Sequence, residues 1–190
     1  MNAPLTLERT RLKLFHETDG TRAHLDVTDR EEIAEALSSF GVRFELWQAD
    51  TVLDQGASQD DVLKAYQRDV GRIMEEGGFR SVDVIRMAPD HPDRVALRAK
   101  FLAEHTHSDD EVRFFVEGAG AFYLHKGAEV AQLVCTAGDL ISVPKGMTHW
   151  FDAGERPRFC AIRIFTSPEG WVANYSGSDI ATRFPAYINV

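Results

Sequence analysis

In the first hundred residues the hydrophobic positions recur mostly at helical spacing, and in the remainder mostly at strand spacing. Thr28 and Glu31 make a capping box ahead of "EIAEALSSF", the first predicted helix. Ser58 and Asp61 open a longer stretch in which Val62, Leu63, Tyr66, Val70 and Ile73 recur at helical spacing, and Gly77-Gly78 ends it. Pro92 suits the first turn of a third, short helix that runs toward Phe101. Strands are expected in this half at "VRFELW" and "SVDVIRM", with a weaker one at "RLKLF".

Past residue 101 the pattern becomes short runs rich in Val, Ile, Phe and Tyr, punctuated by Gly, Asp and Pro: "VRFFVEG", "AFYLHKG", "EVAQLVCTAGD", "LISVPKG" and "RFCAIRIF". Short strands with tight turns predict a mainly β fold with flanking helices, a double-sheet jelly roll. With 190 residues and no internal repeat or low-complexity linker, the chain reads as one domain over 1–190. Its 1–100 part contains the helices, and 101–190 forms the barrel core.

Composition narrows the partners. A net charge of -9 and a pI near 5.2, without a Lys/Arg stripe, argue against nucleic acid and acidic membranes. The start, "MNAPLTLERTRLKLFHET", shows no apolar core of the length a signal peptide needs, and no segment approaches the about 20 apolar residues of a spanning helix. A cytoplasmic protein is expected, and the absence of a sustained heptad pattern points to a monomer. Cys135 and Cys160 both sit in apolar strand-like runs, so burial rather than a disulfide is the expected role in a reducing compartment.

Within "EHTHSDDEVRFF" the chemistry is concentrated. Side chains two apart on a strand share a face, so His105 and His107 can converge on one ion, as they cannot at this spacing on a helix. Glu111 and Arg113 keep the same parity if pairing resumes after the bend at Ser108-Asp109-Asp110. A second segment, "GDLISVPKGMTHWF", offers His149 just after a Pro-Lys-Gly turn that reverses the chain toward the same cavity. Three imidazoles and a carboxylate suit Fe, Ni, Co, Mn or Zn, and an octahedral ion would keep two open positions for a bidentate ligand. The competing reading is a polar, solvated loop, and it does not account for the second segment.

These two segments resemble the two cupin motifs. His105, His107, Glu111 and Gly118 fall at the spacing of the first, and Gly138, Pro144, Gly146 and His149 at that of the second. Ala99 and Ala153 depart from residues common in the motifs, at positions that are not ligands. Together "EHTHSDDEVRFFVEG", "LISVPKGMTHWFD" and "IRIFTSPEGWVANYSG", with "GVRFELWQAD", "DVIRMAPDHP" and "LRAKFLAEHTH", are similar to the acireductone dioxygenase family of methionine salvage.

The resemblance implies a cupin double-stranded β-helix holding one Fe(2+) or Ni(2+) on His105, His107, Glu111 and His149. It implies cleavage of 1,2-dihydroxy-3-keto-5-methylthiopentene by dioxygen. The iron form would give 4-methylthio-2-oxobutyrate and formate, and the nickel form methylthiopropionate, formate and carbon monoxide. Arg113 is the candidate for stabilising the substrate dianion, against an ion pair with Asp109, Asp110 or Glu117. The family links the positions of Glu104 and Asp110 to metal incorporation and to relaying conformational change, whereas the residues alone fit exposed or supporting carboxylates equally well.

Phe101, Phe151 and Trp171 are candidates for a methylthio pocket, Phe151 because it shares the parity of His149 and Trp171 through the "PEGWVAN" segment. Arg163 interrupts a strand apolar on both faces, so it needs a partner, either substrate or an acidic side chain. His16, His24, His91 and His125 have no ligand-like spacing. The alternatives to the acireductone reaction are another small metal-dependent cupin enzyme and a non-catalytic, metal-stabilised cupin.

Overall fold

The computed structural model describes residues 8–54, 56–167 and 172–189. The chain runs through β1 (Arg11–His16), β2 (Asp19–Val27), α1 (Arg30–Phe40), β3 (Arg43–Leu46), α2 (Gln59–Ala65), α3 (Gln67–Gly77), β4 (Ser81–Met87) and α4 (Arg94–Leu102). It continues through β5 (His105–Thr106), β6 (Glu111–Lys126), β7 (Glu129–Thr136), β8 (Asp139–Val143), β9 (Thr148–Asp152), β10 (Arg158–Phe165) and β11 (Asn174–Tyr175), then a 3-10 turn at Ile180–Arg183. No helix among these residues is long and apolar enough to cross a membrane.

The expected mainly β class with flanking helices is what forms. The long strand β6 belongs to two halves of the sheet at once. Its first part lies between β8 and β10, which extend to β3 and β4; its second part lies between β7 and β9, which extend to β1–β2 and β5–β11. All of these pairings are antiparallel, the arrangement of a jelly roll. The changeover falls at Gly118, where φ is 65° and a Cβ would meet the Arg158 carbonyl oxygen at 1.8 Å, so only glycine fits. Next to it the β10 pairing slips by one residue between Cys160 and Ala161, a bulge that bends the strand.

Alternation along β6 and β10 assigns each face. Phe115, Phe122, Phe151, Phe159 and Ala161 meet inside the barrel, where Leu37 of α1 joins the same core. Val112, Phe114, Val116, Cys160, Ile162 and Ile164 face outward and are covered by Val62, Tyr66, Val70 and Ile73 of α2 and α3. That double burial is why these strands read as apolar on both faces. Each fully buried large side chain contributes about 1.5–3 kcal/mol of transfer free energy.

Several local readings need correction. The cap of α1 is Asp29, not Thr28: its side chain accepts from the backbone N–H of Glu31 and Glu32. The Ser58–Asp61 capping box forms as expected, but the stretch it opens is two helices broken at Tyr66, whose ψ of 19° leaves the helical region. The fourth helix starts at Arg94, two residues after Pro92. The runs "VRFFVEG" and "AFYLHKG" are one strand, because Gly118 bends β6 without ending it. Both cysteines are buried and unbridged, as expected.

Candidate metal centre

Two chain segments converge at the mouth of the barrel. His105 in β5 stands directly across the ladder from His149 in β9, and Glu111 opens β6 opposite Val143, the last residue of β8. The loops between them are stapled together: Gly146 donates its N–H to the His107 carbonyl at 2.9 Å, and the Lys145 N–H reaches Asp110 Oδ1 at 2.9 Å. Gly146 makes this turn with φ of 77°. Asp110 is thus a tie between the two ligand segments.

His105, His107, Glu111 and His149 are all buried, and one ligand atom from each lies within 4.8 Å of the others. The three rings are oriented from behind. Nδ1 of His105 donates to the Ala103 carbonyl at 2.7 Å, Nδ1 of His107 to the Val172 carbonyl at 3.1 Å, and Nδ1 of His149 to the Met147 carbonyl at 2.8 Å. A carbonyl only accepts, so each Nδ1 carries a proton, and it is Nε2 of each ring that faces the site.

Nε2 of His149 and Nε2 of His107 lie 2.9 and 3.2 Å from the same Glu111 oxygen, Oε2. Lone pairs facing a carboxylate at that range repel unless a proton or a cation sits among them. Burial holds His105 down to about 4, so it is neutral near pH 7. Burial alone would raise Glu111, but the Arg113 guanidinium and the contacts from His107 and His149 outweigh it and hold the carboxyl well below its usual range. A buried N3O donor set whose three Nε2 atoms and carboxylate converge fits one divalent metal ion.

The wall behind the ligands is a cavity of about 400 Å³ lined by Phe101, Phe151, Arg113, Arg163, Lys100 and Tyr175 among others. Arg113 is 3% exposed and its Nε lies 2.8 Å from Glu111 Oε1. Its guanidinium carbon sits 4.6 Å from the Phe151 ring centre, 5.1 Å from Phe122 and 5.9 Å from Phe101. Burial pulls Arg113 below its usual value while Glu111 pulls it back.

Residues 11–173 match the model of the ARD/ARD′ family. The chain belongs to that family. It is 60% identical over 178 residues to the acireductone dioxygenase of Parvibaculum lavamentivorans, covering 94% of this chain and 97% of the relative. It is 52% identical over 181 residues to that of Aquifex aeolicus, covering 95% and 98%. Its structure superposes with a TM-score of 0.78 on the acireductone dioxygenase of Bacillus anthracis with a cadmium ion in its active centre, at 27% identity over 88% of this chain and 98% of that one. The family resemblance read from the six segments is borne out over most of the chain.

Within this member of the ARD family the other candidates divide. Phe101, Phe151 and Arg163 line the cavity. Arg163 also has the acidic partner its burial called for, Asp83, at 2.7 and 2.6 Å. Glu104 turns away from the ligands: it meets His125 Nδ1 at 2.7 Å and accepts from Ser176 Oγ at 2.6 Å. That is the outcome its opposite parity implies. The carboxylate against Arg113 is Glu111, and Glu117 pairs with Arg86 instead. Trp171 lies outside the described residues.

Sequence reasoning passed over Phe122, Asp83 and Tyr175. Phe122 faces Phe151 across the β6–β9 ladder, and that register has no local signature. Tyr175, whose ring lies 5.9 Å from His105, arrives through the two-residue strand β11.

Proposed function

We propose that the chain is a metal-dependent dioxygenase that cleaves acireductone, with His105, His107, Glu111 and His149 as ligands of one Fe(2+) or Ni(2+) and Arg113 as the charge-stabilising group. The observation that carries the reading is the set of three imidazoles, each tied through Nδ1 to a backbone carbonyl, facing one buried carboxylate beside a caged guanidinium. The family's named relatives supply the substrate.

When bound, the divalent ion supplies a Lewis acid and a template for the two enediol oxygens. The protein's part is electrostatic and steric. Arg113, buried among Phe101, Phe122 and Phe151, favours the ionised over the neutral enediol, because a fixed cation acts strongly where water is excluded. Its guanidinium is enclosed, with Nε 2.8 Å from Glu111 Oε1 and three aromatic rings around the head. Arg163 adds a second cation to the cavity wall. Phe101 and Phe151 give the methylthio tail an apolar surface with favourable sulfur–aromatic contacts. Glu104 and Asp110 act from behind the ligands, through His125 and Ser176 and through the turn at Lys145.

With iron in the site the products are 4-methylthio-2-oxobutyrate and formate; with nickel they are methylthiopropionate, formate and carbon monoxide. Acireductone and dioxygen are the partners, and a single-domain cytoplasmic monomer is the working form. The test is reconstitution of metal-free protein separately with each ion, anaerobic addition of acireductone, then oxygen and product analysis. Oxo acid and formate from one form and carbon monoxide from the other are expected. Oxygen consumption by neither form would overturn the assignment in favour of another cupin reaction.

A further inference from the structure

One carboxylate beside the cavity wall, Asp83, is left without a role by the ligands, Arg113 and Arg163. Asp83, Arg163 and Arg113 stand side by side on β4, β10 and β6: Arg163 faces Asp83 across one ladder and Arg113 across the other. Two guanidiniums directly opposite each other repel. Asp83 sits on the far side of Arg163 and takes its Nε and Nη2 in a two-point contact at 2.7 and 2.6 Å. The Phe165 ring, 5.4 Å from the guanidinium carbon, flanks the same head.

The pair is 23% and 34% exposed, at the cavity's edge rather than in the core, so its contribution to folding is small. Its geometric consequence is larger. An arginine at the rim without a two-point partner samples many rotamers, including ones that reach water or swing toward Glu111. A bidentate carboxylate fixes the plane of the guanidinium as well as its distance. Arg163 is therefore presented to the cavity at a set angle, alongside Arg113.

We propose that Asp83 is a positioning residue for substrate recognition: through its two-point contact it holds Arg163 where that cation meets the negative charge of an ionised enediol. The inference rests on the acireductone reading, and it concerns binding rather than the oxidative step. Asp83→Asn keeps the shape and removes the charge, so Arg163 is released while the ligands and Arg113 stay in place. The relation is specific to Arg163, because Asp83 reaches the substrate only through it.

The experiment is anaerobic titration of the metal-loaded protein with acireductone, together with KM and kcat under oxygen, for wild type, Asp83→Asn, Arg163→Ala and the double variant. Asp83→Asn is expected to raise Kd and KM about tenfold and change kcat less than about threefold, the loss of one charge-assisted contact to the substrate. Metal content should stay at the wild-type level. In the Arg163→Ala chain, adding Asp83→Asn is expected to change nothing further. A wild-type Kd in Asp83→Asn, or an additional loss of binding in the double variant, would overturn the proposal. If Asp83→Asn lowers the thermal midpoint, the Arg163→Ala background carries the test by the same criterion. Wild-type protein that binds acireductone without consuming oxygen would count against the reaction and leave Asp83 standing; wild type that does not bind it would remove the reading on which both rest.

Discussion

The two faces of β6 between Glu111 and Glu117 carry different kinds of information. Its odd positions, Glu111, Arg113 and Phe115, point into the barrel, where Glu111 joins three histidines and Arg113 is held against it. Its even positions, Val112, Phe114 and Val116, lie under α2 and α3 in a hydrophobic cluster. A register slip of one residue would put the metal carboxylate under the helices and a valine in the cavity. On the outer face, volume and shape decide what fits; on the inner face, atom type and direction do. The helices that cover the outer face therefore serve the site by fixing the register of the strand that builds it.

Substitutions separate the two faces. The largest effect belongs to the inner site: His149→Ala removes a proposed ligand whose Nε2 lies 2.9 Å from Glu111 Oε2. Bound metal and oxygen uptake should both fall by about a thousandfold or more, measured by metal analysis and an oxygen electrode, while the outer cluster keeps the chain folded. Retention of metal would break the assignment of this face.

Phe114→Ala tests the other side. Phe114 is fully buried and packs against Trp47 and Tyr66 at ring distances of 5.2 and 5.3 Å. Its truncation should cost about 3–5 kcal/mol of stability in denaturant unfolding. The folded fraction should keep its metal stoichiometry and KM, since no cavity residue is touched.

Arg113→Lys sharpens the inner face further. The charge survives but the planar fork does not, so kcat/KM should fall about 10²–10³-fold, with metal binding retained. A lysine variant with wild-type kcat/KM would reduce Arg113 to a structural partner of Glu111.

The smallest effect is a pH dependence on the outer face. Burial raises the Cys160 thiol from 9.0 to about 11 in the folded chain. Between those values the unfolded state gives up the proton and the folded state keeps it. The stabilisation is therefore fully present below about pH 9 and is lost as pH rises toward about 11, amounting to ~2–3 kcal/mol. Unfolding curves for wild type and Cys160→Ala across that interval check it: the variant should show the shallower decline.

Much of this division was legible in the sequence, because parity is a local property. His105, Glu111 and Arg113 share a parity, and Glu104 breaks it; the structure places the first three at the cavity and turns the fourth toward His125. The strands "SVDVIRM" and "RFCAIRIF" coincide with β4 and β10 because both are rich in β-branched or aromatic residues. What escaped depended on register or on weak local signal. β2, "DGTRAHLDV", is an edge strand whose side chains are mostly exposed or half-buried, so its hydrophobic alternation is faint. Phe122 comes against the Arg113 guanidinium and Asp83 against that of Arg163 through cross-strand pairings, which no single stretch of chain encodes. The break at Tyr66 interrupts an apolar spacing that runs on unchanged through it, and Gly118 looked like a turn because glycine marks turns and bent strands alike.

The most direct test of the central claim is oxygen uptake on acireductone followed while metal-free protein is titrated with Fe(2+) under otherwise constant conditions. The account predicts a rate that rises in proportion to bound iron and saturates at one ion per chain. Uptake by the metal-free chain, or full loading without any uptake, would contradict it.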